Sequence, residues 1–433
     1  MIAIDPAARI GRLTPSLCAS TSWPRPLGPS ARATEKDVAM SPRAIGELRA
    51  RMREFIDGEV IPAEPVLDRD DEAARAELAR LKDAAKGAGL WALGHPEEIG
   101  GGGLDLASFV QLNEIIGRSE WGQWAVGSVT MQDAIMLHMH GSPEQRERWL
   151  LPMVAGEAHP AVGLTEPEVA GSDPTLIKAH AHLEDGEWVI NAHKWFTTNA
   201  DRAAYVSVFC RTEPQDTPKH LAFSAIIVPS GTPGYEIVRR VPTMGHTGGA
   251  HCEIRLTDVR VPQESLLGER GKAFVIAQQR LGPGRLFHAM RWLGQAQRAF
   301  ELMIERANER FAHGSLLAEK GEIRRYVAES VADIQAARLL TLDAARRLAA
   351  GEDARVEISL IKFWGARALH DVIDRSIQVH GALGVTGDRP LERMYREARY
   401  ARIYDGPDEV HRSVVARRVL ADPSRVPWRR DDD

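Results

Sequence analysis

Three short segments hold residue types that could do chemistry together. Near the C-terminus, Arg402-Ile403-Tyr404-Asp405-Gly406-Pro407-Asp408-Glu409-Val410-His411 sets a carboxylate on a turn, between an aromatic and a Gly-Pro pair. Most Asp-Gly pairs are plain turns. A turn can also present one acid into an apolar pocket, where desolvation raises its pKa toward that of a general base. Asp405 is the candidate base; Asp408 and Glu409 are rival acids on the same turn. The second segment is Gly163-Leu164-Thr165-Glu166-Pro167-Glu168-Val169-Ala170-Gly171-Ser172-Asp173. Backbone N–H groups on a small-residue turn, with the Thr165 and Ser172 hydroxyls, suit a flavin pyrimidine edge and a pyrophosphate. An ordinary loop with capping residues explains the same string. The third segment is Lys194-Trp195-Phe196-Thr197-Thr198-Asn199-Ala200. Phe196 could pack on a flavin ring and Thr198 could bond its N5; by spacing alone, a strand end with core aromatics fits better.

The elements that must position these segments follow an order of helices, strands, helices. Residues 40–160 read as a helical domain: Ile45, Leu48, Met52, Phe55 and Ile56 recur at helical spacing with charge between them. Gly100 to Gly103 read as a helix connection, because the Lys-Ser/Thr of a phosphate-cradling loop is missing. Residues 161–271 read as a compact antiparallel β domain. Its short β-branched runs lie at 188–190, 205–209, 225–228 and 252–256, and Asp185-Gly186 is a hairpin turn. From 272 to 433 helices return. Ala289, Trp292, Leu293, Ala296, Phe300, Met303, Ile304 and Ala307 trace one apolar stripe; Ile361, Trp364, Ala368, Leu369 and Val372 trace another. Such helices in sequence imply a four-helix bundle. The fold class is therefore α+β, mostly α. No βαβ alternation is present, and Gly282-Pro283-Gly284 follows no strand and lacks a third glycine, which excludes a nicotinamide-type Rossmann reading.

Composition narrows the field. The 433 residues are 44% hydrophobic and 27% charged, as in an ordinary globular protein. A net charge of −5 gives no support to a nucleic-acid partner. Cys18, Cys210 and Cys252 are odd in number and lack metal spacing, which fits a reducing compartment and no zinc site. His138 and His140 fall in a helical context, where i and i+2 do not share a face, so they read as structural and not as metal ligands. No apolar run approaches the ~20 residues of a membrane span. Residues 1–39 are rich in Pro, Ser and Arg and poor in acids, and are expected to be disordered. They read as a dispensable tail ahead of Met40, or alternatively as a transit peptide. Arg429 to Asp433 read as a solvated tail. The expected location is the cytoplasm, or the mitochondrial matrix in the transit-peptide case.

Taken together, the three segments resemble the acyl-CoA dehydrogenases, FAD-dependent enzymes that introduce an α,β double bond into acyl-CoA thioesters. The resemblance spans about residues 41 to 420. The Asp-Gly-Pro-Asp-Glu-Val-His turn and the nine-residue Thr-Glu-Pro-Glu-Val-Ala-Gly-Ser-Asp loop look like a subgroup of large members, some fused to kinase-like domains in animals. Most of the family has one residue fewer in that loop and Glu at the base position. The resemblance implies FAD contacts at Leu164, Thr165, Gly171, Ser172, Phe196 and Thr198. It implies further contacts at Arg310, Gln378, Gly381 and Glu409, several of them across a subunit interface. It also implies substrate contacts at Ser172, Arg285 and Tyr404, the last packing beside the thioester or serving as a core tyrosine. Shared sites imply a homo-oligomer, a dimer of dimers. His313, Ala382 and Gly282 depart from the family pattern, and they affect acyl and CoA recognition more than the flavin site.

The implied mechanism explains the residue types. Hydrogen bonds from the Asp405 N–H and an FAD ribityl hydroxyl would stabilise the enolate forming at the thioester. Asp405 would take the α-proton while the β-hydride passes to flavin N5. Electrons would leave to an electron-transfer flavoprotein. Two rival readings keep the fold. One is an acyl-CoA oxidase or nitroalkane oxidase-like enzyme, recognisable by rapid peroxide formation. The other is a non-enzymatic DNA-protecting flavoprotein, which needs a basic C-terminal face that the net charge does not suggest. Acyl chain length is not legible in the sequence; the subgroup tilts toward long or branched chains.

Overall fold

The computed structural model describes residues 41–244 and 250–425. The expectations for residues 1–39, Cys18 and the tail from Arg429 lie outside the described residues. The chain begins with α1 (Pro42–Phe55), α2 (Ile61–Leu67), α3 (Glu72–Gly87), α4 (Leu106–Ile116), α5 (Gly122–Ala125), α6 (Met131–His140), α7 (Pro143–Gln145) and α8 (Leu151–Ala155). Local chemistry starts these helices where it should. Ser41 accepts from the Ala44 N–H, Asp71 from Ala74 and Asp105 from Ser108, each meeting an otherwise unpaired helix donor. His138 and His140 lie on α6; His138 Nε2 is 3.4 Å from Glu98 Oε1 and His140 Nε2 is 2.6 Å from Gln279 Oε1.

The sheet comprises β1 (Pro160–Gly163), β2 (His180–Glu184), β3 (Glu187–Thr198), β4 (Tyr205–Arg211), β5 (Phe223–Pro229), β6 (Tyr235–Val241), β7 (His251–Pro262) and β8 (Leu266–Leu267). Their order is β6-β7-β3-β2-β4-β5-β8, with β1 beside β4. Asp185 and Gly186, at φ 51° and 82°, make the two-residue hairpin between β2 and β3. The sheet is not purely antiparallel as expected: β1 runs parallel to β4, and β2 meets β4 in parallel at His180 and Arg211. The reason is topological. β1 enters from α8 and leaves into a long loop, so nothing forces a hairpin on it.

Helices return with α9 (Ala273–Glu309), α10 (Gly321–Ala349), α11 (Arg355–His380), α12 (Leu391–Tyr400) and α13 (Asp408–Ala421); a small β9–β10 hairpin (Phe311–Ala312, Ser315–Leu316) follows α9. Helices α9, α10 and α11 pack on one another, and α12 and α13 pack on α11. The GPG string lies inside α9. Gly284 is there for close approach: a Cβ would sit 2.2 Å from the Gln132 side chain of α6. On α11 the apolar stripe holds at Ile361, Ala368, Leu369 and Val372, but Trp364 is 41% exposed. It stands three residues from the buried Ile361, on the stripe's margin. Two cores result. One joins α1 and α4 to α9, α10 and α11; the other joins the sheet to α6, α8 and the start of α9. α9 therefore ties the three regions together.

Candidate active site

The turn between α12 and α13 is held by donors aimed at its carbonyls. Asp405 and Gly406 both adopt positive φ, 54° and 100°. Such a conformation is uncommon for residues other than Gly, with Asp among those that tolerate it. A Cβ on Gly406 would lie 2.7 Å from His411 Nε2, so glycine is required there. The Asp405 carbonyl accepts from Arg285 Nε and from His411 Nε2, each at 3.1 Å. Lys362, fully buried on α11, donates to the carbonyls of Ala401 at 2.7 Å and Gly406 at 3.2 Å. Its ammonium also sits 5.3 Å from the Trp292 ring and 5.2 Å from the Tyr404 ring. The Tyr404 hydroxyl accepts from Trp292 Nε1 at 2.8 Å. Tyr404 is thus tied into the wall of the site.

What this clamp leaves free is chemically telling. The Asp405 N–H has no acceptor among the described residues. Its Oδ2 is buried without an aligned hydrogen bond; the nearest side-chain nitrogen is His288 Nε2 at 3.3 Å. The rival acids are already engaged or turned away. Asp408 is 1% exposed and pairs with Arg402 at 2.8 Å, while the Glu409 side chain is 77% exposed toward Arg412. Asp405 is the acid available for chemistry.

Its acidity corrects the expectation of a raised pKa. Burial does push the Asp405 carboxyl up, but the His288 N–H, Arg285 and Arg280 outweigh it and hold the group well below the usual carboxylate range. Burial pushes His288 down, helped by Arg291. Lys362 is pushed down to about 8 by burial, against the pull of Asp405 and Asp408. His411 is pushed down to about 4, by burial first and then by Arg285. The turn therefore carries an ionised carboxylate at neutral pH, flanked by neutral imidazoles.

The second cluster lies on the sheet. Glu166 and Lys194, both almost wholly buried, pair at 2.8 Å. The Lys194 ammonium also donates to the Leu164 carbonyl at 3.1 Å, and Glu166 accepts the N–H groups of Lys178 and Ala179. One carboxylate thus fastens both ends of the loop over residues 164–179. The β3–β7 register slips between Lys194 and Thr197, a bulge that frees Trp195 to donate its N–H to the Thr165 carbonyl. Phe196 sits in that bulge at φ 50° and is 43% exposed. Gly171, Ser172 and Thr198 are also exposed, and Leu164 and Thr165 are half-buried. A Cβ on Gly171 would meet Thr165 Cγ2 at 2.9 Å. The Trp195 Nε1 and Thr197 Oγ1 atoms are buried without a partner.

The structure thus brings Tyr404, Asp405 and Arg285 together in one cluster, and Leu164, Thr165 and Gly171 to the bulge that carries Phe196 in another; Ser172 lies exposed on the loop, and Thr198 bonds His251. Arg280 on α9 acts on the first cluster. It pairs with Asp133 of α6 at 3.1 Å, and its charge acts on both Asp405 and Tyr205 at the start of β4. Gln378 and Glu409, on α11 and α13, and Arg310 and Gly381, just past α9 and α11, are exposed. Among the described residues, no hydrogen bond or ion pair joins them to either cluster. Sequence reasoning missed His288, Arg291 and Lys362. Two signals were available: a lone lysine inside an apolar stripe of α11, and the Arg285, His288, Arg291 spacing of three on α9.

A mostly helical chain packed on a β sheet, with a half-buried carboxylate on a clamped turn, is an arrangement in which a base can work beside a bound cofactor. Family models for the N-terminal, middle and C-terminal domains of acyl-CoA dehydrogenase match residues 44–157, 161–259 and 271–420. The chain belongs to the acyl-CoA dehydrogenase family. It is 41% identical over 400 residues to a probable acyl-CoA dehydrogenase, FadE2, of Mycobacterium tuberculosis, covering 89% of this chain and 97% of that protein. It is 38% identical over 401 residues to acyl-CoA dehydrogenase family member 10 of Mus musculus, covering 88% of this chain but 37% of that longer protein. The crystal structure of a putative acyl-CoA dehydrogenase from Mycobacterium abscessus superposes with a TM-score of 0.83 at 38% identity, over 89% of this chain and all of that one.

Proposed function

We propose that the chain binds FAD and oxidises an acyl-CoA thioester to its trans-2,3-enoyl form, in the manner of fatty-acid β-oxidation. The observation that carries this reading is the Asp405 turn: a buried carboxylate oxygen without an aligned donor, next to a backbone N–H without an acceptor. The N–H would receive the thioester carbonyl oxygen and favour its enolate. Oδ2 would then take the α-proton, which stays on Asp405 until it is lost to solvent. Clamping of the Asp405 and Gly406 carbonyls holds both groups in place at no cost during the reaction.

The sheet cluster fits the cofactor. Leu164, Thr165, Gly171 and Ser172 would line the loop side, and the exposed Phe196 and Thr198 the strand side. FAD, when bound, supplies the two-electron acceptor for the β-hydride. The buried Glu166–Lys194 pair would hold the loop in register for it. Arg310, Gln378, Gly381 and Glu409, exposed on the single chain, suit contacts made across a subunit interface, and so a homo-oligomer. An electron-transfer flavoprotein is the proposed acceptor, and long or branched chains the proposed acyl groups.

The test is anaerobic titration of the FAD-loaded protein with an acyl-CoA panel, beside Asp405→Asn. The wild type should bleach its flavin band with one class of acyl-CoA. The variant should keep FAD yet reduce it at least about 100-fold more slowly. Undiminished reduction in the variant would move the base elsewhere, and rapid peroxide in air would favour an oxidase.

A further inference from the structure

The carboxylate of Asp405 is not alone in its cavity. His288 of α9 lies between it and Arg291: Arg291 Nη2 is 2.9 Å from His288 Nδ1, and His288 Nε2 is 3.3 Å from Asp405 Oδ2. The imidazole is wedged among aromatics, with its ring centroid 4.9 Å from that of Tyr404 and 6.1 Å from that of Trp292. A guanidinium has donors only. Nδ1 must therefore be the acceptor in the Arg291 contact, which leaves the ring proton on Nε2, facing the carboxylate. Protonating Nδ1 would set two donors against each other in a buried site, so the ring is held neutral.

We infer that His288 is a positioning residue for the base: its Nε2–H, 3.3 Å from Oδ2 and not aligned on it in the resting structure, steers the short Asp405 carboxylate, and Arg291 fixes the tautomer that makes this possible. The inference rests on the proposed role of Asp405. An aspartate has one methylene fewer than a glutamate, so its reach depends on the turn and on whatever holds its oxygens. The turn is fixed through its carbonyls by Arg285, His411 and Lys362, none of which hydrogen-bonds the carboxylate oxygens. His288 is the group placed to do so. A neutral donor also differs from a cation in a useful way. It adds no further full positive charge to those of Arg280 and Arg285, which already act on the carboxylate. The 3.3 Å separation leaves Oδ2 able to turn toward an incoming C–H. Other charged or titratable groups facing the pair are Arg280, Arg285, Lys362, Tyr404 and His411, with Glu120 acting on Arg291 and Tyr404.

Two variants separate positioning from mere packing. His288→Leu keeps bulk and loses the donor; His288→Gln can accept from Arg291 and donate to Asp405 through one amide. Rapid-mixing flavin reduction by a saturating acyl-CoA should slow about 10- to 100-fold in His288→Leu. The acid limb of its pH profile should move to higher pH, because a donor to the carboxylate is gone. His288→Gln should recover most of the rate and the original limb. The ¹⁵N spectrum of histidine-labelled protein at neutral pH should include a neutral ring with a pyridine-type Nδ1 that is absent from His288→Gln. Wild-type rate and pH profile in His288→Leu, while Asp405→Asn is inactive, would overturn this inference and leave the proposed function standing. A doubly protonated His288 at neutral pH would also overturn it. If no acyl-CoA reduces the wild type, it is the proposed function that fails, and the spectrum still decides the tautomer.

Discussion

Lys194 and Lys362 are both fully buried, yet they keep different company. Lys194, on β3, faces the carboxylate of Glu166, which also takes two backbone N–H groups; the pair closes the loop over residues 164–179. Lys362, on α11, faces no carboxylate within bonding distance among the described residues. It gives its hydrogens to two carbonyls of the base turn and lies near two aromatic rings. The difference follows from what each region has to keep free. In the loop a carboxylate can be consumed in structure, because under the proposed function the exposed surface above it would do the binding. In the turn a carboxylate tied directly to an ammonium would be a poor base. The turn is therefore held by its backbone, and Asp405 keeps its oxygen.

That contrast is broken most forcefully at Lys194. Lys194→Met strands Glu166 as a buried charge, and breaking such a pair typically costs about 3–5 kcal/mol. Denaturant unfolding should show a loss of that size. Amide exchange should rise across residues 164–179 and stay unchanged at the base turn. Adding Glu166→Gln to Lys194→Met should recover part of the loss, since the stranded charge is gone and the amide oxygen can still accept one of the two N–H groups, of Lys178 or Ala179. A single variant as stable as the wild type would mean that the ion pair is not what closes the loop.

The next effect, at Lys362, is read through pH. Its ammonium titrates at about 8 in the folded chain, because burial disfavours the charge, against 10.5 for an unburied lysine. Between those values the unfolded chain binds more protons than the folded one, so stability rises with pH. Lys362 therefore weighs against folding below about pH 8, and that cost disappears as the pH climbs toward 10.5. The stability difference between wild type and Lys362→Met should move in favour of the wild type across this window, by about 3 kcal/mol. A difference that stays flat would show that the site keeps Lys362 charged throughout.

The two regions also differ in how far the sequence reveals them. The order of helices, strands and helices follows from periodicity, and the Asp185-Gly186 hairpin from its dipeptide. The turn and the loop stand out because their residues are contiguous. The parallel joins of β1 and β2 to β4 depend on pairings that no local pattern encodes. Trp364 shows the limit of a stripe: its spacing fits, but it lies at the margin and stays exposed. His288, Arg291 and Lys362 reach the turn from more than 40 residues away, so they become visible only once α9 and α11 are folded against it. The pKa of Asp405 has the same origin. Burial was foreseeable from the turn, whereas the groups that reverse its effect came from α9.

The smallest effect sharpens the comparison on the loop side. Glu168 belongs to the longer form of the loop, and its carboxylate bonds His193 Nδ1; the other ring nitrogen meets Glu253 Oε1 at 2.9 Å, and Glu253 Oε2 accepts from Arg239. An imidazole can donate from both nitrogens only when protonated. Burial pushes His193 down, but Glu253 and Glu168 outweigh it and raise its pKa. A raised folded-state value means that the stabilisation is fully present below the unfolded pKa of about 6.5 and is lost as pH rises through the folded value. These groups are partly exposed, so the contribution is below about 1 kcal/mol. Hydrogen exchange over residues 166–173, corrected for intrinsic rates, should therefore quicken by less than about fivefold between pH 6 and pH 9. His193→Gln should remove that dependence and leave Lys194 and Glu166 holding the loop. If the variant instead loosened the loop as much as Lys194→Met, the surface bridge and not the buried pair would be its fastening, and the contrast between the two lysines would fail at its loop end.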